Sequence, residues 1–303
     1  MISPVDFVHD LLNPDLAFLS KALLMAVLSS VVCGVVGTHV VLRGMAFIGD
    51  AVAHAVFPGL AVAFVLQGSL VLGGAIAGIT TALLVALFAQ NRRLREDSVI
   101  GVFFVAAFAL GIVIISAAPG YAGSLQDFLF GSIVGIPDEN VLISVVVGLV
   151  LMTVLFVFHK ELVAVSLDRE SARALGLPVM RLDLLLYVVV AAAIVISVQT
   201  IGNVLVLALL VTPAAAARLL TDRLAPMMLL GPTIGGGSAL VGLYLSWSLD
   251  LPVGGTIVLV ATAVFLLAWL LAPRHGVLAG ARTRSARLPR RARQPIGSGR
   301  TDA

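Results

Sequence analysis

The sequence predicts an all-α, polytopic integral membrane protein, a bundle of about nine transmembrane helices. Three observations carry that prediction. The 303 residues are 60% hydrophobic and only 12% charged, where a soluble chain carries about 25% charged residues. Mean hydropathy is +1.12. Several apolar runs approach or exceed the ~20 residues needed to cross a hydrocarbon core, and they are continuously apolar, unlike the alternating strands of a membrane barrel. A single cysteine, Cys33, excludes an intrachain disulfide and any multi-cysteine metal cluster.

The elements follow in order. Residues 1–16 form a short extracytoplasmic segment with Asp6, Asp10 and Asp15 and no Lys or Arg, unlike the basic opening of a cleavable signal. The transmembrane domain, 17–273, holds nine hydrophobic segments over roughly 17–42, 45–66, 68–90, 98–118, 138–158, 182–201, 203–220, 225–247 and 254–272. The breaks at Arg43-Gly44 and Gln67 are tight. The break at Gly202 is the weakest, so eight to ten spans fit the pattern. Small residues recur, as in Gly74-Ala75-Ile76-Ala77-Gly78 and Gly231-Pro232-Thr233-Ile234-Gly235, and let helices approach closely in lipid. Residues 274–303 carry eight arginines with Gly, Ser and Pro and no apolar periodicity. That composition gives a disordered basic tail, expected to meet anionic lipid rather than nucleic acid.

Charge orients the bundle. Lys and Arg gather at Arg43, at Arg92, Arg93 and Arg95, from Lys160 to Arg181, at Arg218 and Arg223, and from Arg274 onward. All five places fall on one side of a nine-span arrangement, and positive charge marks the cytoplasmic side. The N-terminus is then outside and the C-terminus cytoplasmic. Lys21 is the exception. The opposite side is acidic, with Asp127, Asp138, Glu139 and Asp250.

Two ionisable residues interrupt the second span. Asp50 and His54 are four apart, hence on one helix face, and an intramembrane carboxylate usually faces a partner or a pathway. Counting ~1.5 Å per residue from Gly44 puts Asp50 about 9 Å and His54 about 15 Å into a ~30 Å core. Pro58 lacks the N–H that would bond the His54 carbonyl. A carboxylate and an imidazole make half of a divalent-metal site. They are too few to complete one for zinc or manganese. Further ligands must come from other helices, water or a second copy of the chain. Thr38, His39, Ser197, Gln199, Asn203 and Thr212 are the polar residues within reach of that role. His39, near a helix end, reads as structural, and the Met and Phe residues read as apolar filling.

A cytoplasmic segment stands out as well. Asp168 to Leu175 has helix-forming composition with acidic residues early and Arg173 late, as the macrodipole prefers, and Gly176 and Pro178 stop it. A short amphipathic helix between spans reads either as a docking element for a soluble partner or as a solvated loop helix. No phosphate-binding loop, zinc-protease motif or nucleophile elbow is present. An ATPase driving transport would be another chain, and the protein itself is no enzyme.

The stretch from Val41 to Leu60 resembles the signature of the manganese/zinc/iron-type ABC-transporter permeases, with Ala53 where the family commonly has Ser. Asp168 to Leu177 and Val204 to Leu220, containing Leu210-Val211-Thr212-Pro213, resemble further family segments. The likeness preserves segment order over residues 10–273. It implies two permease copies around one pathway, cytoplasmic ABC ATPase subunits below, and an extracytoplasmic solute-binding protein delivering metal. Asp50 and His54 match the family's metal-pathway positions. Asp168, Ala172 and Gly176 fall in what would be the coupling helix that receives the ATPase stroke. The expected function is the permease of a divalent-metal importer in the bacterial cell membrane, with manganese, zinc or iron(II) as cargo and no tightly bound cofactor. The alternatives are a permease for a chelate such as a siderophore or corrinoid, and an ion-coupled secondary carrier.

Overall fold

A computed structural model describes residues 3–90, 96–116 and 136–272. Arg92, Arg93, Arg95, Asp127 and the basic tail lie outside the described residues. Twelve α-helices are seen among those described: α1 Pro4–Leu12, α2 Ala17–Leu42, α3 Ile48–Val65, α4 Leu70–Phe88, α5 Glu96–Ser116, α6 Asp138–Val157, α7 His159–Leu167, α8 Arg169–Ala174, α9 Val179–Ile201, α10 Asn203–Leu220, α11 Leu224–Leu249 and α12 Val253–Leu271. Nine of them, all except α1, α7 and α8, are long and apolar enough to cross a bilayer. They match the nine segments expected from sequence, the Gly202 break included.

Apolar burial sorts these helices differently from a soluble protein. An all-round apolar helix in a bundle must face either neighbours or lipid. α3 and α9 are mostly buried within the protein. α5, α6 and α12 instead turn large side chains outward, among them Val102, Leu110, Leu142, Leu149, Leu259 and Leu267. α3 packs on α4 and α5, and α2 on α11 and α10. Close approach depends on small residues: Gly59 of α3 meets Gly73 of α4, and Gly231 of α11 meets Gly34 of α2.

Helix ends decide where the site stands. At the end of α2, Gly44 N–H bonds Val41 O at 3.2 Å and Met45 N–H bonds Val40 O at 3.0 Å. This paired closure needs a left-handed residue at Gly44, whose φ is +71°. The closure uses residues 43–47, so α3 begins at Ile48 rather than Met45. Asp50 therefore stands about 3 Å, and His54 about 9 Å, along the axis from the first residue of α3.

The ends of α2, α7 and α10 meet at one end of the bundle, where His39, Leu42, Val163, Ser166, Arg218 and Asp222 line one cavity. At the opposite end Lys21 pairs with Asp138 at 2.5 Å, which accounts for the one cation outside the charge pattern. Segment 1–16 is more than a plain leader to the first span. α1 sets Phe7 edge-on to Tyr244 at 5.4 Å, and Asp10 accepts from Trp247 Nε1 at 2.9 Å.

Candidate functional site

Asp50 and His54 lie on one face of α3, as their spacing required. His54 Nε2 and Asp50 Oδ1 are 3.4 Å apart, and the side chains are 20% and 43% exposed. The pair is neither sealed in the bundle nor held by a short contact, so the carboxylate keeps oxygen capacity for a ligand. α3 stays helical through Pro58, and the missing N–H leaves the His54 carbonyl without its usual donor. Gly111 of α5 packs against Phe57 and Pro58.

The His54 ring is held from α5 by the edges of Phe104 and Phe108, at centroid distances of 5.2 Å and 5.3 Å. Those two phenylalanines are therefore walls of the site and not merely filling. Aromatic walls keep water off one side of the imidazole and lower the local dielectric, which strengthens electrostatic contacts there. A Phe pair at i, i+4 on α5 was the available sequence signal, but only packing puts it beside α3.

Among the polar residues considered from sequence, the structure brings Asn203 to the pair. Its Nδ2 lies 3.5 Å from His54 Nε2. The Gly202 break explains how: φ of +84° there interrupts the chain between α9 and α10, so α10 starts at the depth of His54 with Asn203 as its first residue. Two of the others are engaged elsewhere. Thr38 Oγ1 donates to Gly34 O at 2.9 Å, and Ser197 Oγ lies 3.7 Å from Cys33 Sγ. His39 is fully buried and meets the His159 ring edge-on at 6.4 Å. Thr212 is half-buried on α10, and the Gln199 side chain lies outside the described residues. No group of three or more His, Cys, Asp or Glu side chains suited to a metal ion occurs among the described residues. Asp50 and His54 are thus the carboxylate and imidazole that α3 sets together.

The segment from Asp168 to Gly176 is helical where expected, and its ends have identifiable causes. Asp168 caps α8, accepting from Glu170 N–H at 2.9 Å and from Ser171 Oγ. The Ser171 hydroxyl and then the Glu170 N–H stabilise the ionised carboxylate and hold it below its ordinary value of 3.8. Ala172 is buried and anchors the helix. Its carbonyl accepts from Leu177 N–H at 3.1 Å, while Gly176 N–H bonds Arg173 O at 3.0 Å. This is the same closure that ends α2. α7, unread from sequence, continues α6 beyond Phe158 and buries Leu162 and Val165.

One buried carboxylate went unnoticed in the sequence. Asp183 of α9 is ion-paired with Arg43 at 2.7 Å and with Arg169. Arg43 reads in sequence only as an orienting charge.

Comparison with known proteins agrees with this architecture. The chain is 40% identical over 262 residues to the manganese transport system membrane protein MntC of Halalkalibacterium halodurans, covering 86% of this chain and 90% of that one. It is 39% identical to the chelated iron transport system membrane protein YfeC of Yersinia pestis, over 86% of this chain and 89% of the relative. Among solved structures it resembles PsaBC from Streptococcus pneumoniae in complex with Fab, with a TM-score of 0.80, 33% identity, and coverage of 90% of this chain and 98% of that one. With residues 15–272 matching its sequence pattern, the chain belongs to the ABC 3 transport family and is a multi-pass membrane subunit of an ABC transporter.

Proposed function

We infer that the protein is the permease of an ATP-driven importer for divalent transition-metal ions, and that Asp50 and His54 are its metal ligands. The observation behind this reading is the half-open Asp50–His54 pair, 3.4 Å apart on a helix otherwise buried in the bundle. Relatives named for manganese and iron transport support it. Ionised Asp50 supplies charge and neutral His54 supplies a nitrogen donor, a mixed set suited to manganese, iron(II) and zinc. Because one chain contributes two ligands, a second permease copy completes the site across the exposed face of α3. Asn203 orients the His54 ring, and the Phe104 and Phe108 edges limit its rotation.

The basic end of the bundle faces the cytoplasm, the 274–303 tail with it, and the N-terminus lies outside. Cytoplasmic ATPase subunits dock at α8, and an extracytoplasmic solute-binding protein delivers the ion. Metal enters from the acidic side, is held transiently, and is released inward when the ATPases close. Binding stays weak enough for the ion to leave, and protons compete for both ligands.

The test is ATP-dependent uptake of labelled manganese(II), zinc(II) and iron(II) by the reconstituted complex, comparing wild type with Asp50→Asn and His54→Ala. Loss of one ion's uptake in both assembled variants supports the reading and names the cargo. Undiminished uptake refutes the assignment of the pair. A chelate carrier is the second reading, favoured by the YfeC likeness. It has no need of a bare carboxylate–imidazole pair, and uptake of the chelate with free ion excluded would establish it.

A further inference from the structure

Asp183 stands one turn into α9 with no exposed side-chain surface. A carboxylate so withdrawn from water needs compensating charge, since a buried ion left without its partner is strongly destabilising. Here two cations share it. Arg43 Nη1 donates to Oδ1 at 2.7 Å, and Arg169 Nη2 donates to Oδ2.

The two guanidiniums come from elements with different tasks. Arg43 closes α2 and leads into α3, which carries Asp50 and His54. Arg169 is the first residue of α8. Arg43 also donates through Nε to Ser166 Oγ at 2.9 Å, and that hydroxyl donates to Leu162 O at 2.6 Å, both on α7. One set of charged contacts thus joins α7, α8 and α9 to the turn that starts α3.

That turn is short and fixed. Met45 is buried with its N–H on Val40 O, and Ile48 N–H bonds Met45 O at 3.0 Å. Asp50 follows two residues later. A displacement of Arg43 therefore reaches the first turn of α3 with little slack to absorb it.

The exposure of the two cations is unequal. The Arg43 side chain is 9% exposed and the Arg169 side chain 41%. Each holds its own carboxylate oxygen, so Arg169 can shift while Asp183 stays paired with Arg43. A cavity of 350 Å³ bounded by Arg43, Ser166, Asp168 and Arg169 gives α8 room to move.

We propose that Asp183, Arg43 and Arg169 form the transmission element of the importer, converting displacement of α8 into a change in the geometry of Asp50 and His54. This rests on the reading of α8 as the ATPase-docking helix. These are positioning residues: none touches the metal.

The test uses the complete complex with its ATPases and binding protein in proteoliposomes, measuring import of radiolabelled manganese(II), zinc(II) and iron(II) together with ATP hydrolysis. Arg169→Gln removes one cation and leaves Asp183 paired with Arg43. The ratio of ions imported to ATP hydrolysed is expected to fall roughly tenfold, within the 5–150-fold range of typical intersite coupling. Arg169→Lys, which keeps the charge, restores most of it. A static staple predicts otherwise: import and hydrolysis fall in proportion, or neither changes, and either result overturns the proposal. If Arg169→Gln fails to assemble, the same ratio is read on Ser166→Ala, which removes the Arg43 Nε contact along with the hydroxyl's bond to Leu162 O within α7, and an unchanged ratio there overturns it too. A wild-type complex that imports no manganese, zinc or iron(II) refutes the importer reading itself. Normal wild-type import with unaltered ratios in the variants refutes only the transmission role.

Discussion

The side chain of Asp50 is 43% exposed, and its carboxylate meets His54 Nε2 at 3.4 Å. Asp183 has no exposed side-chain surface, and each of its oxygens accepts from a guanidinium. Both carboxylates belong to membrane-length helices whose neighbours are overwhelmingly apolar. At Asp183 the bonding capacity is consumed inside the protein, and the result is a fixed joint between helices. At Asp50 it is only partly used and directed outward, so a ligand can complete it. An ionisable residue in a span therefore does not by itself mark a pathway. What separates a ligand from a joint is how many of its lone pairs the fold has already taken.

Four measurements can break or sharpen this contrast. The largest effect is expected at the joint. Asp183→Ala leaves two guanidiniums without their shared anion and should cost about 3–5 kcal/mol, read as a lower unfolding midpoint or lost expression of the purified subunit. A variant as stable as wild type would show that the buried charges find other partners, and the contrast would fail. Next come Asp50→Asn and His54→Ala. Each should lower metal uptake at least roughly 100-fold, because even residues one shell beyond a metal ligand cost 10–100-fold. Stability should hardly change, since the pair is half-open and loosely joined. A large drop in melting temperature with little change in uptake would reverse the two roles.

Asn203→Ala tests the margin of the site. Losing the amide beside His54 is expected to raise the metal concentration for half-maximal uptake roughly tenfold, the low end of outer-partner effects. No change would remove Asn203 from the site and leave the Gly202 break as packing only. The smallest effect belongs to the α8 cap. Asp168→Ala should fray α8, seen as faster amide hydrogen exchange over Arg169–Ala174. Because the folded carboxyl is held below 3.8, the stability it lends is fully present above about that pH and lost as pH falls through the lowered value. Exchange protection of α8 should therefore be insensitive to the cap's ionisation between neutral pH and pH ~5. A loss of protection within that range would remove Asp168 as the cause.

Local chemistry explains what the sequence made legible. The nine spans stand out because burying backbone polar groups in lipid demands long helices of apolar residues. The Asp50–His54 pair is visible because four residues make one helical turn. The α8 limits are visible because Asp168 and Gly176 are strong stop signals at either end. Asp183 was invisible for the opposite reason: it lies 140 positions from Arg43, and neither residue has a local pattern that names the other. Arg43 looked like a topological charge, and Asp183 like one acidic residue among leucines. The 1–16 segment likewise showed its acidity but not its packing, because Phe7 finds Tyr244 only when α1 folds back on α11.

The start of α3 shows the same division. Counting from Gly44 placed Asp50 and His54 on the right face but started the helix too early, because the closing turn after α2 takes up residues 43–47 before α3 begins. The sequence alone determined the class of fold, a count of about nine spans, the placing of Asp50 and His54 on one helix face and the short helix after Asp168, each governed by periodicity, hydropathy or a cap within a few residues. Only the tertiary structure decided which polar groups stand beside that pair, which carboxylate is neutralised, and what joins α8 to α3. Those outcomes depend on which helices touch, and contact between distant segments is fixed by packing against several neighbours at once rather than by any one stretch of chain.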